Sequence, residues 1–385
     1  MRRKVKVLLI IYAIAPYRIP LFNYIHQMGD FDFKVIALSE KEKNRNWQIR
    51  KNNIKFNQEI LPGLHFFIYG EKREIPIHLN RKVFARICQY NPDVIITDGY
   101  DSLAYWQAFF YCKIFKKKYI LWNETSLLST DSVVGIRGLL KNIIINRANS
   151  YVAMGKKAKE YLEFFGASPK NIFTGLNTVD VEYFREENTK LKKDKNIIEK
   201  RKKYPKILFL YVGQLIKRKG VNQILRALKI LRDEEIGLLI VGSGHEEKSL
   251  KKYCKENNLK NVFFEGYCQQ SELVNYYALA DVFILSSLLE VWGLVVNESL
   301  ASGLYVICSK YAGVAYDLIK ENWNGNLFDP NNIDEFVKLI KHIKEQIESI
   351  RNRRENISQH ACREFGIKDS AQTFLEAIKN VCAFL

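Results

Sequence analysis

No apolar run in this 385-residue chain reaches the roughly 18 residues that would carry a helix across a bilayer. Its seven cysteines, Cys88, Cys112, Cys254, Cys268, Cys308, Cys362 and Cys382, include no CxxC pair. That odd, unpatterned set argues against a disulfide frame or a zinc site and reads as reduced, buried thiols of a cytosolic protein. The six histidines fall at no metal-binding spacing. A dinucleotide fingerprint is incomplete: Gly242-Ser243-Gly244 follows an apolar run, but Glu247 stands where the third glycine belongs, which disfavours hydride transfer. No Ser/His/Asp arrangement can be argued, so a hydrolase has no support. The start, MRRKVKVLLIIYAIAP, has the basic and apolar parts of a signal peptide. However, Pro16-Tyr17-Arg18 follows where a small-residue cleavage site belongs, and a buried first strand accounts for the same residues.

The chain does contain apolar mass and positive charge. Hydrophobic residues make up 47% and aromatics 13%, too much for wholesale disorder. The length exceeds one ordinary core, so two packed domains are expected. Formal net charge is +18, and residues 1–180 hold 28 Lys and Arg against 15 Asp and Glu, a surplus of 13. Nucleic acid, an anionic membrane face or an anionic substrate could answer such an excess, and so could a merely solvated basic surface.

Strand and helix patterns alternate along the chain. A buried strand over 5–15 leads into a helix over 16–28, and the loop between them, Ala13 to Arg18, has no glycine with which to crowd a pyrophosphate. A polar, basic connection over 41–57 carries Trp47, an aromatic that either caps a ligand or pins the loop. Strands over 92–97 and 119–122 end in Tyr100-Asp101 and Asn123-Glu124, where a parallel sheet places its ligands. Each of those four also suits a turn or a cap. From 185 to 206, ten Lys and Arg against four Asp and Glu, with few apolar residues, read as a linker. The alternation then restarts, with Ser271 placed to cap a helix over 272–280. The expected boundaries are 1–180 for a first domain, 181–206 for a basic linker and 207–365 for a second domain. A closing helix over 366–385 can pack back on the first.

Two loops of the second half carry chemistry. Ser286 to Gly303, SSLLEVWGLVVNESLASG, reads as strand end, loop and helix, with Gly293 opening the turn and Gly303 stopping the helix. Free N–H groups and the positive helix end suit a phosphate there, whereas Glu290 and Glu298 would repel it and are better placed to accept from hydroxyls. Lys217-Arg218-Lys219-Gly220, between a strand and a helix start, can neutralise a diphosphate, and more so as a departing diphosphate gains charge. It can equally be a solvated run of charge.

Taken together, Glu290-x7-Glu298 in that context, Ala280-Asp281, Gly213-Gln214-Leu215 with Lys219-Gly220, and Gly242-Ser243-Gly244 resemble the retaining glycosyltransferases of family 4 over 207 to about 330. Pro16 to Pro20, Asn91-Pro-Asp-Val and Asn177 to Asp180 extend the likeness more loosely into the first half. The resemblance implies an α/β GT-B fold: two Rossmann-like, doubly wound parallel-sheet domains facing across a cleft. It also implies a nucleotide-diphosphate sugar as donor. Glu298 would bind the donor ribose, Glu290 would face the transferred sugar, and Lys219 with Arg218 would grip the diphosphate. Gly213, Gln214, Gly242, Gly244, Gly266, Tyr267, Gly293, Leu294 and Val295 would complete the donor side. The family usually has Arg where Gln214 stands, a charge that Arg218 can replace, and its common first-domain histidine is not evident. Tyr17, Arg18, Tyr100, Asp101, Asn123 and Glu124 are acceptor-side candidates. The resemblance further implies transfer to a glycan or lipid-linked acceptor in surface-polysaccharide (lipopolysaccharide-type) assembly, without cofactor or metal, in the cytoplasm or peripherally on the inner membrane face. The rivals are a sugar-nucleotide epimerase on the same fold and a basic nucleic-acid-binding protein, although the cations here form no stripe with interleaved aromatics.

Overall fold

Alternation along β1 (Val5–Ile11) decides the layering of the first unit. Val7, Leu9 and Ile11 join one core cluster, Leu8 and Ile10 the other, and all five are buried, as a parallel sheet covered on both faces requires. The computed structural model describes residues 3–40, 51–69, 74–130 and 135–382; Trp47 lies outside them. Chain order continues through α1 (Ile19–Met28), β2 (Phe31–Ala37), β3 (Asn57–Ile60), the antiparallel pair β4 (Leu64–Tyr69) and β5 (Glu74–Leu79), and α2 (Val83–Tyr90). It then runs through β6 (Val94–Asp98), α3 (Leu103–Ile114), β7 (Lys118–Asn123), α4 (Gly135–Arg147), β8 (Ser150–Met154), α5 (Lys156–Phe164) and β9 (Ile172–Gly175). Seven parallel strands lie in the order β3-β2-β1-β6-β7-β8-β9. Helices α2 to α5 cover the Leu8 face through Val83, Tyr105, Ile144 and Tyr161. The opposite face is covered by α1 and by α16 (Ile367–Cys382), whose Phe374 ring meets Trp122 edge-on at 5.0 Å.

Two compact units divide the chain, Met1–Asn177 with Ile367–Leu385 and Thr178–Gly366. The second unit begins at Thr178, just ahead of the stretch read as a linker, and includes all of it. There α6 (Val181–Leu191) is capped by Asp180, which accepts from Tyr183 N at 3.1 Å, and α7 (Lys195–Arg201) by Asp194, which accepts from Asn196 N at 2.7 Å. Phe184 of α6 is fully buried. The basic composition of 185–206 is the solvated side of two short helices, so charge density there marks a surface and not a connection.

Beyond α7 come β10 (Ile207–Val212), α8 (Val221–Leu231), β11 (Ile236–Val241), α9 (Glu247–Glu256), β12 (Val262–Gly266), α10 (Gln270–Leu279) and β13 (Val282–Leu285). These are followed by α11 (Leu294–Ala301), β14 (Tyr305–Ser309), α12 (Ala315–Leu318), β15 (Gly325–Phe328), α13 (Ile333–Glu345), α14 (Ile347–Asn352) and α15 (Arg354–Glu364). Six parallel strands lie in the order β12-β11-β10-β13-β14-β15, so the direction of winding switches between β10 and β13. The cap of α10 is Gln269, not Ser271: the helix starts earlier, and Gln269 with Glu272 forms a reciprocal capping box. Strand β15 and helix α15 have no counterpart in the sequence reading.

At the N-terminal end of β13, buried Asp281 accepts from Leu208 N and Arg201 Nη2, both at 2.9 Å, from Arg351 Nε at 3.0 Å and from Arg354 Nη2 at 3.1 Å. Burial alone would raise its pKa; Arg351, Arg354 and the Leu208 N–H more than offset this and hold it below the usual value. One carboxylate thus ties α7, α14 and α15 to the N-terminal end of the central strands, opposite the loops described next.

Candidate functional site

Around the switch point of the second sheet, the loops after β10, β11 and β13 are fastened to one another. Gly220 has φ +68°, and a Cβ there would stand 2.1 Å from the Ser286 carbonyl oxygen. Ser286 Oγ in turn donates to Lys219 O at 3.0 Å, and Leu288 N donates to Arg218 O at 2.8 Å. The Lys217-Arg218-Lys219 turn is therefore stitched along the 286–290 segment. On the other side, a Cβ at Gly242 would lie 1.8 Å from Gly213 O, and one at Gly244 2.2 Å from Leu215 O. Leu215 N donates to Ser243 O at 2.9 Å, Glu246 N to Leu215 O at 3.0 Å and Gly242 N to Gly266 O at 2.7 Å. The two glycines of 242–244 permit this backbone crowding. Gly213 and Gln214 sit at the seam, while Tyr267, beyond Gly266, is largely exposed.

Lys219 Nζ pairs with Glu290 Oε2, and Ser287 Oγ donates to the same oxygen at 3.2 Å. Glu290 is 9% exposed. Its burial pushes the pKa up, but Lys219, Arg218 and the Ser287 hydroxyl pull it below the ordinary value, so the carboxylate stays ionised. The Arg218 guanidinium also donates to Leu289 O at 3.4 Å. Thus the structure brings Arg218, Lys219 and Glu290 together, across 71 positions of sequence in the case of Lys219 and Glu290.

Gly293, at φ +108°, turns the chain into α11, and Leu294 and Val295 form its first turn, where backbone N–H groups have no intrahelical acceptor. Eight positions on from Glu290, Glu298 faces a different environment: it is 7% exposed and accepts from Tyr277 OH at 2.6 Å. Burial raises its pKa to about 7, opposed by the Tyr277 hydroxyl. The two glutamates hence differ in charge state near neutral pH. Sequence reasoning missed Ser287 as a partner of Glu290 and Tyr277 as a partner of Glu298. Tyr277 lies on α10, and no spacing in the sequence links it to α11.

In the first unit, the acceptor-side candidates follow the C-terminal ends of β1, β6 and β7. Arg18 is 6% exposed; it pairs with Glu124, donates to Asn177 Oδ1 at 3.0 Å and lies 4.4 Å from the Trp122 ring centroid and 5.2 Å from that of Tyr17. Asp101 accepts from Tyr12 OH at 2.6 Å, and Tyr100 OH bonds with Tyr161 OH, burial pushing the Tyr100 pKa up. Asn123 is spent on the backbone, donating to Thr125 O at 2.9 Å and Ala158 O at 3.2 Å.

Among the described residues no group of three or more His, Cys, Asp or Glu is arranged for a metal ion, and no helix is long and apolar enough to cross a membrane. All seven cysteines are free; Cys88 is exposed, whereas Cys112, Cys254 and Cys308 are buried.

Residues 192–362 match the family model described as glycosyl transferases group 1. An uncharacterized glycosyltransferase of Methanocaldococcus jannaschii is 30% identical over 169 residues, which is 43% of this chain and 42% of that protein. A second uncharacterized glycosyltransferase of that organism is 25% identical over 352 residues, 83% of each chain. Among solved structures, Anabaena HepE in complex with UDP superposes with a TM-score of 0.75 over 97% of this chain and 100% of its own, at 16% identity. That likeness is one of fold. The two parallel α/β units are those of the GT-B fold.

Proposed function

We propose, from the match of residues 192–362 to the family model of glycosyl transferases group 1, that this protein is a retaining glycosyltransferase. It moves a hexose-type sugar from a nucleotide-diphosphate sugar to a glycan or lipid-linked acceptor in cell-surface polysaccharide synthesis, at the cytoplasmic side of a membrane. The observation that carries this reading is the meeting of Lys219, Arg218 and Glu290 beside the first turn of α11. Two cations and a helix N-terminus suit a diphosphate, and an ionised carboxylate next to them suits a sugar hydroxyl.

In this reading Lys219 and Arg218 stabilise the charge that builds on the departing diphosphate, more in the transition state than before it. Those cations take the place of a metal ion. Glu290 accepts from the transferred sugar and Glu298 from the ribose. The departing phosphate helps deprotonate the acceptor on the face it leaves, so retention needs no side-chain base. The first unit, with Arg18, Glu124 and Tyr17 at its strand ends, receives the acceptor.

Incubation with a panel of nucleotide sugars, in the presence of a chelator, tests the reading. Release of nucleoside diphosphate from at least one sugar nucleotide is expected. Folded protein that neither turns over any donor nor binds any nucleoside diphosphate would overturn it.

A further inference from the structure

Helices α2, α3 and α4 contain no carboxylate: across 83–90, 103–114 and 135–147 the charged residues are Arg86, Lys113, Arg137, Lys141 and Arg147. Their inner sides pack on one face of the first sheet, which leaves their outer sides as surface. On α3, Leu103, Phe110 and Ile114 are 60%, 52% and 66% exposed, and their spacing puts them on a single stripe. Trp106 lies half-buried along that stripe, its ring 5.8 Å from Phe110. On α4, Leu139 and Leu140 are 60% and 43% exposed. The C-terminal ends of α3 and α4 adjoin, for Lys113 Nζ donates to Arg147 O at 2.5 Å. Helix α2 adjoins α3 through Phe84, whose N–H donates to Gln107 Oε1 at 3.1 Å.

Single exposed apolar residues are ordinary; five on two adjoining helices that themselves carry only cations are not. Exposed Lys113, Lys116 and Arg147 stand at one end and exposed Arg81 and Lys82 at the start of α2. Of the nearby carboxylates, Asp93 pairs with Arg3 and Lys117 and Glu59 with Lys34 and Arg86, while exposed Asp101, two residues ahead of Leu103, accepts from Tyr12 OH. Helix α5, on the same sheet face, differs: beside a single exposed apolar residue, Phe164, its outer side carries the Lys157–Glu160 and Lys159–Glu163 pairs of a solvated surface.

We infer that the outer face of α2, α3 and α4 docks on a bilayer containing anionic lipid. Aliphatic and aromatic side chains enter between the headgroups, and Lys and Arg meet lipid phosphates. Four of the five exposed apolar residues, Leu103, Ile114, Leu139 and Leu140, are aliphatic and offer a base nothing to stack on or bond with, which favours lipid over nucleic acid here. The inference deepens the proposed membrane-side transfer by naming the docking face. It does not need an acceptor, so vesicles without one test it separately from transferase activity.

The experiment is flotation of the full chain with vesicles of phosphatidylcholine alone or with about a third phosphatidylglycerol, at low and high salt. Binding is expected only with phosphatidylglycerol, weakened by salt, and reduced about tenfold in Phe110→Ser/Ile114→Ser and in Leu139→Ser/Leu140→Ser variants with unchanged melting temperature. As a check on the unaltered surface, vesicles with brominated acyl chains should quench tryptophan fluorescence, and Trp106→Phe should remove that component. Absence of binding, equal binding to both vesicles, or undiminished binding by both double variants overturns the inference. A preference for oligonucleotides over vesicles overturns it too and gives the cations a nucleic-acid partner.

Discussion

The Gly220 Cα lies so near the carbonyl of Ser286 that a Cβ would stand 2.1 Å from its oxygen, and the residue also has φ +68°. Replacing Gly220 by alanine therefore strains the backbone and separates the Lys217–Lys219 turn from the 286–290 segment. Loss of about 3 kcal/mol or more is expected from urea unfolding, with loss of donor turnover. A wild-type unfolding midpoint would show that the seam is not needed.

The pair Lys219–Glu290 couples stability to activity. Lys219→Ala leaves a buried carboxylate unpaired and should cost about 3 kcal/mol, with turnover down by about a hundredfold or more. Adding Glu290→Gln should restore much of the stability but none of the turnover, a non-additivity that a double-mutant cycle reads directly.

Glu298 gives a pH signature. Its pKa is raised from 4.5 to about 7, so the native state holds a proton that the unfolded state has released. Its share of stability is present below the unfolded value and lost as pH rises through about 7, amounting to about 3 kcal/mol at ~1.4 kcal/mol per unit. Ribose hydroxyls donating to Glu298 favour the carboxylate, so binding of a nucleoside diphosphate at pH 7 should release protons. Calorimetry in buffers of different ionisation enthalpy measures this, with uridine, guanosine and thymidine diphosphates as probes. Glu298→Gln should abolish the release and weaken binding.

Asp281 responds with the opposite sign. Its pKa is depressed, so the stability it contributes is present above the ordinary carboxylate range and lost as pH falls through its folded value. Asp281→Asn leaves Arg201, Arg351 and Arg354 facing a neutral group and should cost about 3 kcal/mol at neutral pH and less in acid. Parallel unfolding curves at pH 7 and in acid test it.

Much of the fold was legible because local pattern and global layer agree. Continuous apolar runs such as 207–212 and 282–285 could only be strands covered on both faces, and Gly293 and Gly303 marked where α11 starts and stops. The stretch 185–206 was misleading because composition records which side chains are charged, not which helix side turns inward. Its signals were the caps Asp180 and Asp194. At the site, Lys219 and Glu290 could be nominated from their loops, but their pairing belongs to the switch in strand order between β10 and β13. Tyr277 as the partner of Glu298 follows from how α10 packs beside α11, which leaves no trace in spacing. Asn123 was nominated for standing at a strand end, yet its amide goes to backbone carbonyls there.

Helix α16 completes the first sheet from far along the chain, after the whole second unit: Ala371, Phe374, Ile378 and Val381 fill the core cluster that begins with Val7 and Leu9. During synthesis, then, residues 3–177 leave the ribosome with one sheet face covered by α1 but still missing α16, and stay so while Thr178–Gly366, which is contiguous, can already fold. Of the two units, the one whose strands are translated first is the later to finish. A chain shortened before Ile367 would carry a folded second unit tethered to a sheet open to aggregation.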